Sequence, residues 1–218
     1  MTSQEIIKQT ISFVKSTLKN AEGGHDWFHI ERVYKNSLLI AKHEPVDTFI
    51  VALGALLHDI ADSKFYDGDE TVGPKMARTF LAKLPLDATV VEHVIQIIEN
   101  ISFKTSLEGK HRFTSAELDV VQDADRLDAI GAVGIARTFN YGGFKNRAIY
   151  DPEIPPKLDM TKAEYKASTA PTVNHFYEKL LLLKDKMNTK TGKQLAVKRH
   201  EFMALYLQQF YAEWEGKV

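Results

Sequence analysis

There is no cysteine anywhere in the 218 residues. That absence removes disulfide staples, zinc-thiolate sites, iron–sulfur clusters and thiol nucleophiles together, so any metal has to be held by His, Asp or Glu. Nor does any apolar run approach the roughly 18 residues that a membrane-crossing helix requires. The opening Met1-Thr-Ser-Gln-Glu-Ile-Ile lacks the basic and long apolar stretches of a secretory signal, and the expected compartment is the cytoplasm. An excess of one charge is missing too: 28 Lys and Arg stand against 29 Asp and Glu, a formal net charge of -1. This offers no global basic field for a nucleic-acid duplex, while a local basic pocket for a small phosphate remains compatible with it. Three familiar nucleotide and hydrolase signatures are absent as well. Lys190-Thr-Gly-Lys193-Gln lacks the full Gly-x4-Gly-Lys-Ser/Thr loop, no Gly-x-Gly-x-x-Gly follows a strand, and no Gly-x-Ser-x-Gly elbow occurs.

What is present is an ordinary globular composition, 44% hydrophobic and 26% charged. Its apolar residues recur at helical spacing. Thr2…Glu5 has capping-box spacing and precedes the stripe Ile6, Ile7, Ile11, Val14 and Leu18, which closes near Gly23-Gly24. A second helix is expected from Asp26 to about His43, ending before Pro45. Phe49 to Leu57 is apolar on every face, the pattern of a helix buried on all sides. Two more helices fall at about 71–84 and 87–101, separated by Pro85, and Thr114…Glu117 opens another through Asp125 toward Ile130. Tyr141-Gly-Gly, Asp151-Pro and Pro155-Pro156 mark residues 140–160 as an irregular connection, either a functional loop or a plain surface crossover. Thr161…Glu164 is a third capping-box candidate, followed by Val173, Phe176, Tyr177, Leu180, Leu183 and Met187 as one helix. A last helix begins near Lys190 and carries Leu195, Phe202, Met203, Tyr206, Phe210 and Trp214. No alternating pattern long enough to build a sheet occurs. The expectation is an all-α array forming one domain over 1–218: a core of about 20–135, the connection, and additional C-terminal helices over about 161–216.

The buried third helix ends in His58-Asp59. An adjacent His-Asp pair on such a helix needs compensation, because buried polar groups without partners are costly and buried charges more so. A divalent cation compensates both, since imidazole and carboxylate are its ligands. A buried His beside a helix-capping Asp accounts equally for the dipeptide taken alone. The wider pattern adds His25-Asp-Trp-Phe-His29-Ile-Glu-Arg32-Val33 upstream and Gln122-Asp123-Ala124-Asp125-Arg126-Leu127-Asp128 downstream.

The order His…His-Asp…Asp, with His-x-x-Arg-Val first and Ala-Asp-Arg-Leu last, resembles the HD superfamily of metal-dependent phosphohydrolases. Gly-His-Asp-Trp near the start, Asn174-His-Phe-Tyr-Glu-Lys-Leu and Asp185-Lys-Met-Asn-Thr are similar to its stand-alone bacterial type. The resemblance implies His29, His58, Asp59 and Asp125 as metal ligands. His25 fits the first place less well, because Arg-Val follows His29 at the family spacing, and Asp123 competes with Asp125 for the last. Two imidazoles and two carboxylates leave open positions on an octahedral ion for water and a substrate oxygen. Mixed nitrogen and oxygen donors without sulfur suit Mn, which is favoured, and also Fe, Co, Ni or Mg.

Asp62, four residues after His58 and three after Asp59, would share their side of a continuing helix and is the candidate to handle the proton of the attacking water or of the leaving oxygen. Arg32, Lys64 and Arg126 flank the ligand segments as candidate phosphate contacts, or as surface ion-pair partners. His93, Gln96 and Asn100 share a helix face that either lines the pocket, with His93 a candidate substrate contact, or is a solvated face. His93 with His111 falls where some HD proteins carry a second metal, a minor alternative to one ion. His175 and Lys179 form an i, i+4 pair that reaches substrate or decorates the surface, whereas His43 and His200 carry no signal. The resemblance implies hydrolysis of a nucleotide phosphoanhydride or phosphoester, foremost a nucleoside or deoxynucleoside triphosphate giving the monophosphate and pyrophosphate. A non-catalytic nucleotide sensor and, less so, a dinuclear iron oxygenase are the competing readings. The expected partner is a small nucleotide, with neither nucleic-acid duplex nor membrane, and a homodimer is allowed for.

Overall fold

The computed structural model describes residues 1–19, 26–61, 69, 71–101, 113–161, 164 and 167–218. Among them every regular element is helical and no strand occurs, the all-α class that the periodicity predicts. The chain divides into two compact units, Met1–Asp125 and Arg126–Val218, with the division falling inside a continuous helix.

The first unit is built on α1 (Ser3–Thr17), α2 (Trp27–Ala41), α3 (Thr48–Leu57), α4 (Val72–Leu81), α5 (Ala88–Asn100) and all but the last turn of α6 (Ala116–Asp128). The capping box at α1 forms: the Glu5 amide donates to Thr2 Oγ1 and the Thr2 amide donates to Glu5 Oε2. This satisfies two of the amides that every helix N-terminus leaves without an intrahelical partner. At α3 the carboxylate of Asp47 accepts from the amides of Phe49 and Ile50. The backbone amide of Asp47 donates to Glu117 on α6 at 3.0 Å, tying the two helix starts together. Every residue of α3 from Ile50 to Leu57 is buried, and the helix packs on α1, α2 and α5. Those helices contribute the buried residues Val14, Ile30, Val33, Ile40, Val94, Ile95 and Ile97. At about 1.5–3 kcal/mol per large apolar side chain, this cluster is what fixes α3, and therefore the position of its last residues. The helix stops at Leu57, with His58 as its C-cap, so it does not continue through Asp59 and beyond as the spacing of Asp62 presumes. The helix after Thr114 also differs by one residue: Ser115 caps α6, its Oγ accepting from the Leu118 amide at 3.0 Å.

In the second unit, α7 (Gly131–Phe144) extends through Tyr141-Gly142-Gly143, residues expected to open the irregular connection. Gly142 is present for close approach rather than for a turn. A Cβ there would lie 2.2 Å from Thr172 Oγ1 and 2.9 Å from its Cγ2. Gly142→Ala is therefore expected to destabilise the protein by about 1–3 kcal/mol through overpacking, read as a lowered Tm; an unchanged Tm would contradict this packing. The single helix expected up to Met187 is instead α8 (Asn174–Glu178) followed by a 3-10 segment, Leu180–Lys186. Thr161 and Glu164 do make their reciprocal contacts, but Pro171 cannot donate to a helix, and Lys179 leaves helical geometry at φ -146°. The amides of Thr172 and Val173 donate instead to the carbonyls of Ala148 and Ile149. A final helix, α9 (Lys190–Trp214), starts at Thr189, whose hydroxyl accepts from Gly192, and packs on α7 and the 3-10 segment. Phe139, Phe176, Tyr206 and Phe210 join in an aromatic core continued by Tyr150, Tyr211 and Trp214. Among the described residues no helix is long and apolar enough to cross a membrane.

Candidate metal centre

Three elements of the first unit deliver three ligand atoms to one place. His29 sits in the opening turn of α2, where Asp26, as N-cap, accepts a hydrogen bond from the His29 amide at 3.0 Å. His58 closes α3, and Asp125 lies in the last turn of α6. One ligand atom from each falls within 4.8 Å of the other two. His29 Nε2 is 3.6 Å from Asp125 Oδ1, and His58 Nε2 is 3.9 Å from the same oxygen. Asp59 Oδ2 lies 4.0 Å from His29 Nε2. The imidazoles meet edge to face with centroids 5.4 Å apart.

The protonation pattern at His58 follows from its partner. Nδ1 lies 2.8 Å from the Ala55 carbonyl oxygen, which only accepts, so Nδ1 carries a hydrogen and Nε2 is the nitrogen whose lone pair is available to a metal ion. That Nε2 is buried and has no hydrogen-bond partner. A buried lone pair facing a carboxylate oxygen, with a second imidazole alongside, is unfavourable unless something positive stands between them. The separations of 3.6 and 3.9 Å are within the span of about 4.4 Å open to two donors each about 2.2 Å from one ion. Donor chemistry, spacing and the orphaned nitrogen thus fit a divalent cation. The Ala55 carbonyl is the outer-shell group that orients this imidazole.

Asp123 does not join the cluster. Two residues along a helix is a rotation of about 200°, so Asp123 and Asp125 project from opposite faces of α6, and Asp123 is wholly buried. Asp125→Asn is expected to lose bound metal and turnover, whereas Asp123→Asn retains metal. Metal content and rates at saturating Mn compare the two, and metal loss in the Asp123 variant would shift the register by two residues.

Arg32, half-buried, shares the His29 face of α2 at i+3. His93 is held elsewhere: its Nε2 lies 2.9 Å from Ser115 Oγ and 3.4 Å from Glu117 Oε2, at the start of α6. Eight helical residues at about 1.5 Å each separate Glu117 from Asp125, roughly 12 Å along the axis, so His93 is not beside the cluster. Asn100 and Gln96 are occupied near the end of α5, where Gln122 donates to the carbonyls of Asn100 and Ile101 and ties α6 to that end. In the second unit, Arg126 donates to the Lys186 carbonyl at 2.6 Å. Burial, reinforced by Lys179 and Arg147, pulls the His175 imidazole down to about 4, so at neutral pH it is an uncharged group and not a phosphate-pairing cation. Asp62, Lys64, His25 and His111 lie outside the described residues. Three contributors went unrecognised in the sequence. Asp26 was visible only as a helix start, Gln122 only as a polar member of an acidic run, and the Ala55 carbonyl carries no side-chain signal at all.

The HD domain family matches residues 27–130, the stretch that contains all four of these His and Asp positions. A solved HD-superfamily hydrolase from Bacillus thuringiensis is 44% identical, with a TM-score of 0.79 and coverage of 98% of this chain and 99% of that one. The chain belongs to the HD superfamily. YpgQ of Bacillus subtilis is 37% identical over 211 residues, 96% of this chain and 94% of YpgQ. Its crystal structure in complex with ADP superposes with a TM-score of 0.77, covering 98% of this chain and 97% of that one. A predicted HD-superfamily hydrolase from an uncultured Thermotogales bacterium is 26% identical with a TM-score of 0.64, again over 98% of this chain and 99% of that one. As a member of that superfamily the chain is a metal-dependent phosphohydrolase.

Proposed function

We propose that the protein hydrolyses a nucleoside or deoxynucleoside triphosphate between its α and β phosphates, releasing the monophosphate and pyrophosphate. The observation that carries the reading is the buried His58 Nε2 left without a partner beside His29 and Asp125. The ADP held by YpgQ, a relative that matches nearly the whole chain, supports a nucleotide as the ligand. His29, His58, Asp59 and Asp125 would hold one divalent ion, Mn by the nitrogen and oxygen character of the donors. When bound, such an ion supplies Lewis acidity to a phosphoryl oxygen and a water acidified toward neutral pH.

The remaining chemistry falls to the chain's own side chains. A water oxygen bonds to the α phosphorus, the bridging P–O bond breaks, and pyrophosphate leaves with the electron pair. Asp62 takes the water's proton or returns one to the leaving oxygen. Arg32 and Lys64 neutralise phosphate charge, the guanidinium through paired hydrogen bonds and the ammonium as a point charge. Arg126, which follows Asp125 in the chain, and Lys179 and His175 are the further candidate substrate contacts. Mn-loaded protein incubated with a panel of nucleotides and followed by phosphorus NMR tests this directly. Pyrophosphate is the expected product; orthophosphate would make the protein a phosphatase, and no product with any nucleotide would make it a nucleotide-binding module.

A further inference from the structure

Asp125 occupies an unpromising position for a ligand that must be held still. It lies in the last turn of α6, where backbone carbonyls have run out of intrahelical amides and helices fray. Here that turn is anchored by two arginines. Asp128, three residues further on, is 1% exposed, and its Oδ2 accepts from Arg137 Nη1 of α7 at 2.5 Å. The same nitrogen donates to the backbone carbonyl of Asp128 at 3.2 Å. Arg199 of α9 donates to the carbonyl of Leu127. Its aliphatic stem lies against Gly131, where an added Cβ would sit 3.0 Å from Arg199 Cγ and where φ is +76°, a conformation that favours glycine. The Arg126 and Leu127 carbonyls also accept from the amides of Ala129 and Ile130. Every carbonyl from Arg126 to Asp128 therefore has a partner, and the guanidinium charges stand at the negative end of the helix dipole.

We propose that Arg137 and Arg199, through Asp128 and the closing carbonyls of α6, are positioning residues for Asp125, fixing the carboxylate by locking the turn that carries it. They act through the unbroken helix Ala116–Asp128. This rests on the reading of Asp125 as a metal ligand.

The test is Mn affinity measured by titration calorimetry, with helical content followed by circular dichroism, for the parent, Arg137→Met, Arg137→Lys and His58→Ala. Arg137→Met is expected to weaken Mn binding about 10–100-fold, the range for groups that orient a ligand from outside it, with helical content retained. Arg137→Lys keeps the charge but not the planar guanidinium that sets Nη1 between the carboxylate and the carbonyl, so it should recover only part of the affinity. Because Arg137→Met removes the hydrogen-bonding guanidinium from a buried carboxylate and risks the fold, Asp128→Asn/Arg137→Met serves as the second variant and is judged by the same criterion. Parent-like affinity in a folded Arg137→Met or in the double variant, with affinity lost in His58→Ala, overturns the clamp and leaves the ligand reading standing. Parent-like affinity in His58→Ala overturns the ligand reading and the clamp with it.

Discussion

His58→Ala is expected to leave the protein folded and metal-free. The imidazole contributes little to the backbone of α3: it projects from the C-cap, after the last helical residue, and its hydrogen bond goes to a carbonyl one turn back. What it contributes to the site is an oriented lone pair at a buried, otherwise unsatisfied nitrogen. Groups that only orient a metal ligand cost about 10–100-fold in affinity when removed, so loss of a ligand itself should exceed that range. Turnover should fall with the metal, and far-ultraviolet circular dichroism should stay close to that of the parent. Elemental analysis after exhaustive dialysis is the measurement. Equal metal in variant and parent would remove His58 from the ligand set.

The site and the second unit differ in how much of them the sequence displays, and the difference is physical. The run from Ile50 to Leu57 cannot be solvent-facing on any side, so its burial, and the arrival of His58-Asp59 at the edge of the core, are legible directly. The Ala-Asp-Arg-Leu context favours Asp125 over Asp123, and the two carboxylates leave α6 on opposite faces, with Asp125 on the side of His29 and His58. Periodicity failed where a helix was broken by backbone chemistry instead of by pattern. Phe176, Leu180, Leu183 and Met187 keep their spacing across Lys179, yet the backbone turns there and continues as a 3-10 segment. Gly142-Gly143 misled in the opposite sense, since paired glycines read as a turn when one of them is required for contact with Thr172. The arginines that lock the end of α6 were invisible for a third reason. Arg137 and Arg199 stand nine and 71 residues from Asp128, and single charged residues on otherwise periodic helices look like solvated surface until the fold brings them to one carboxylate and one carbonyl.

Asp62→Asn is expected to separate chemistry from metal binding. Asp62 follows Asp59 by three residues in the segment that leaves α3, and HD enzymes commonly carry an acidic residue there, while the proposed ion already has four other protein ligands. Asparagine keeps the size and a hydrogen-bonding group but can neither take the water's proton nor deliver one to the leaving oxygen. General acid–base assistance is worth about 10²–10⁴-fold, so the rate at saturating Mn and nucleotide should fall by an amount in that range. Metal content should match the parent, in contrast to His58→Ala, which loses both. The pH–rate profile supplies a second criterion: the limb due to this carboxylate should vanish from the residual activity, whereas a residue that only shapes the segment would scale the profile without changing its form. Turnover within about threefold of the parent at every pH, well short of the acid–base range, would make Asp62 a bystander and assign the proton to another group.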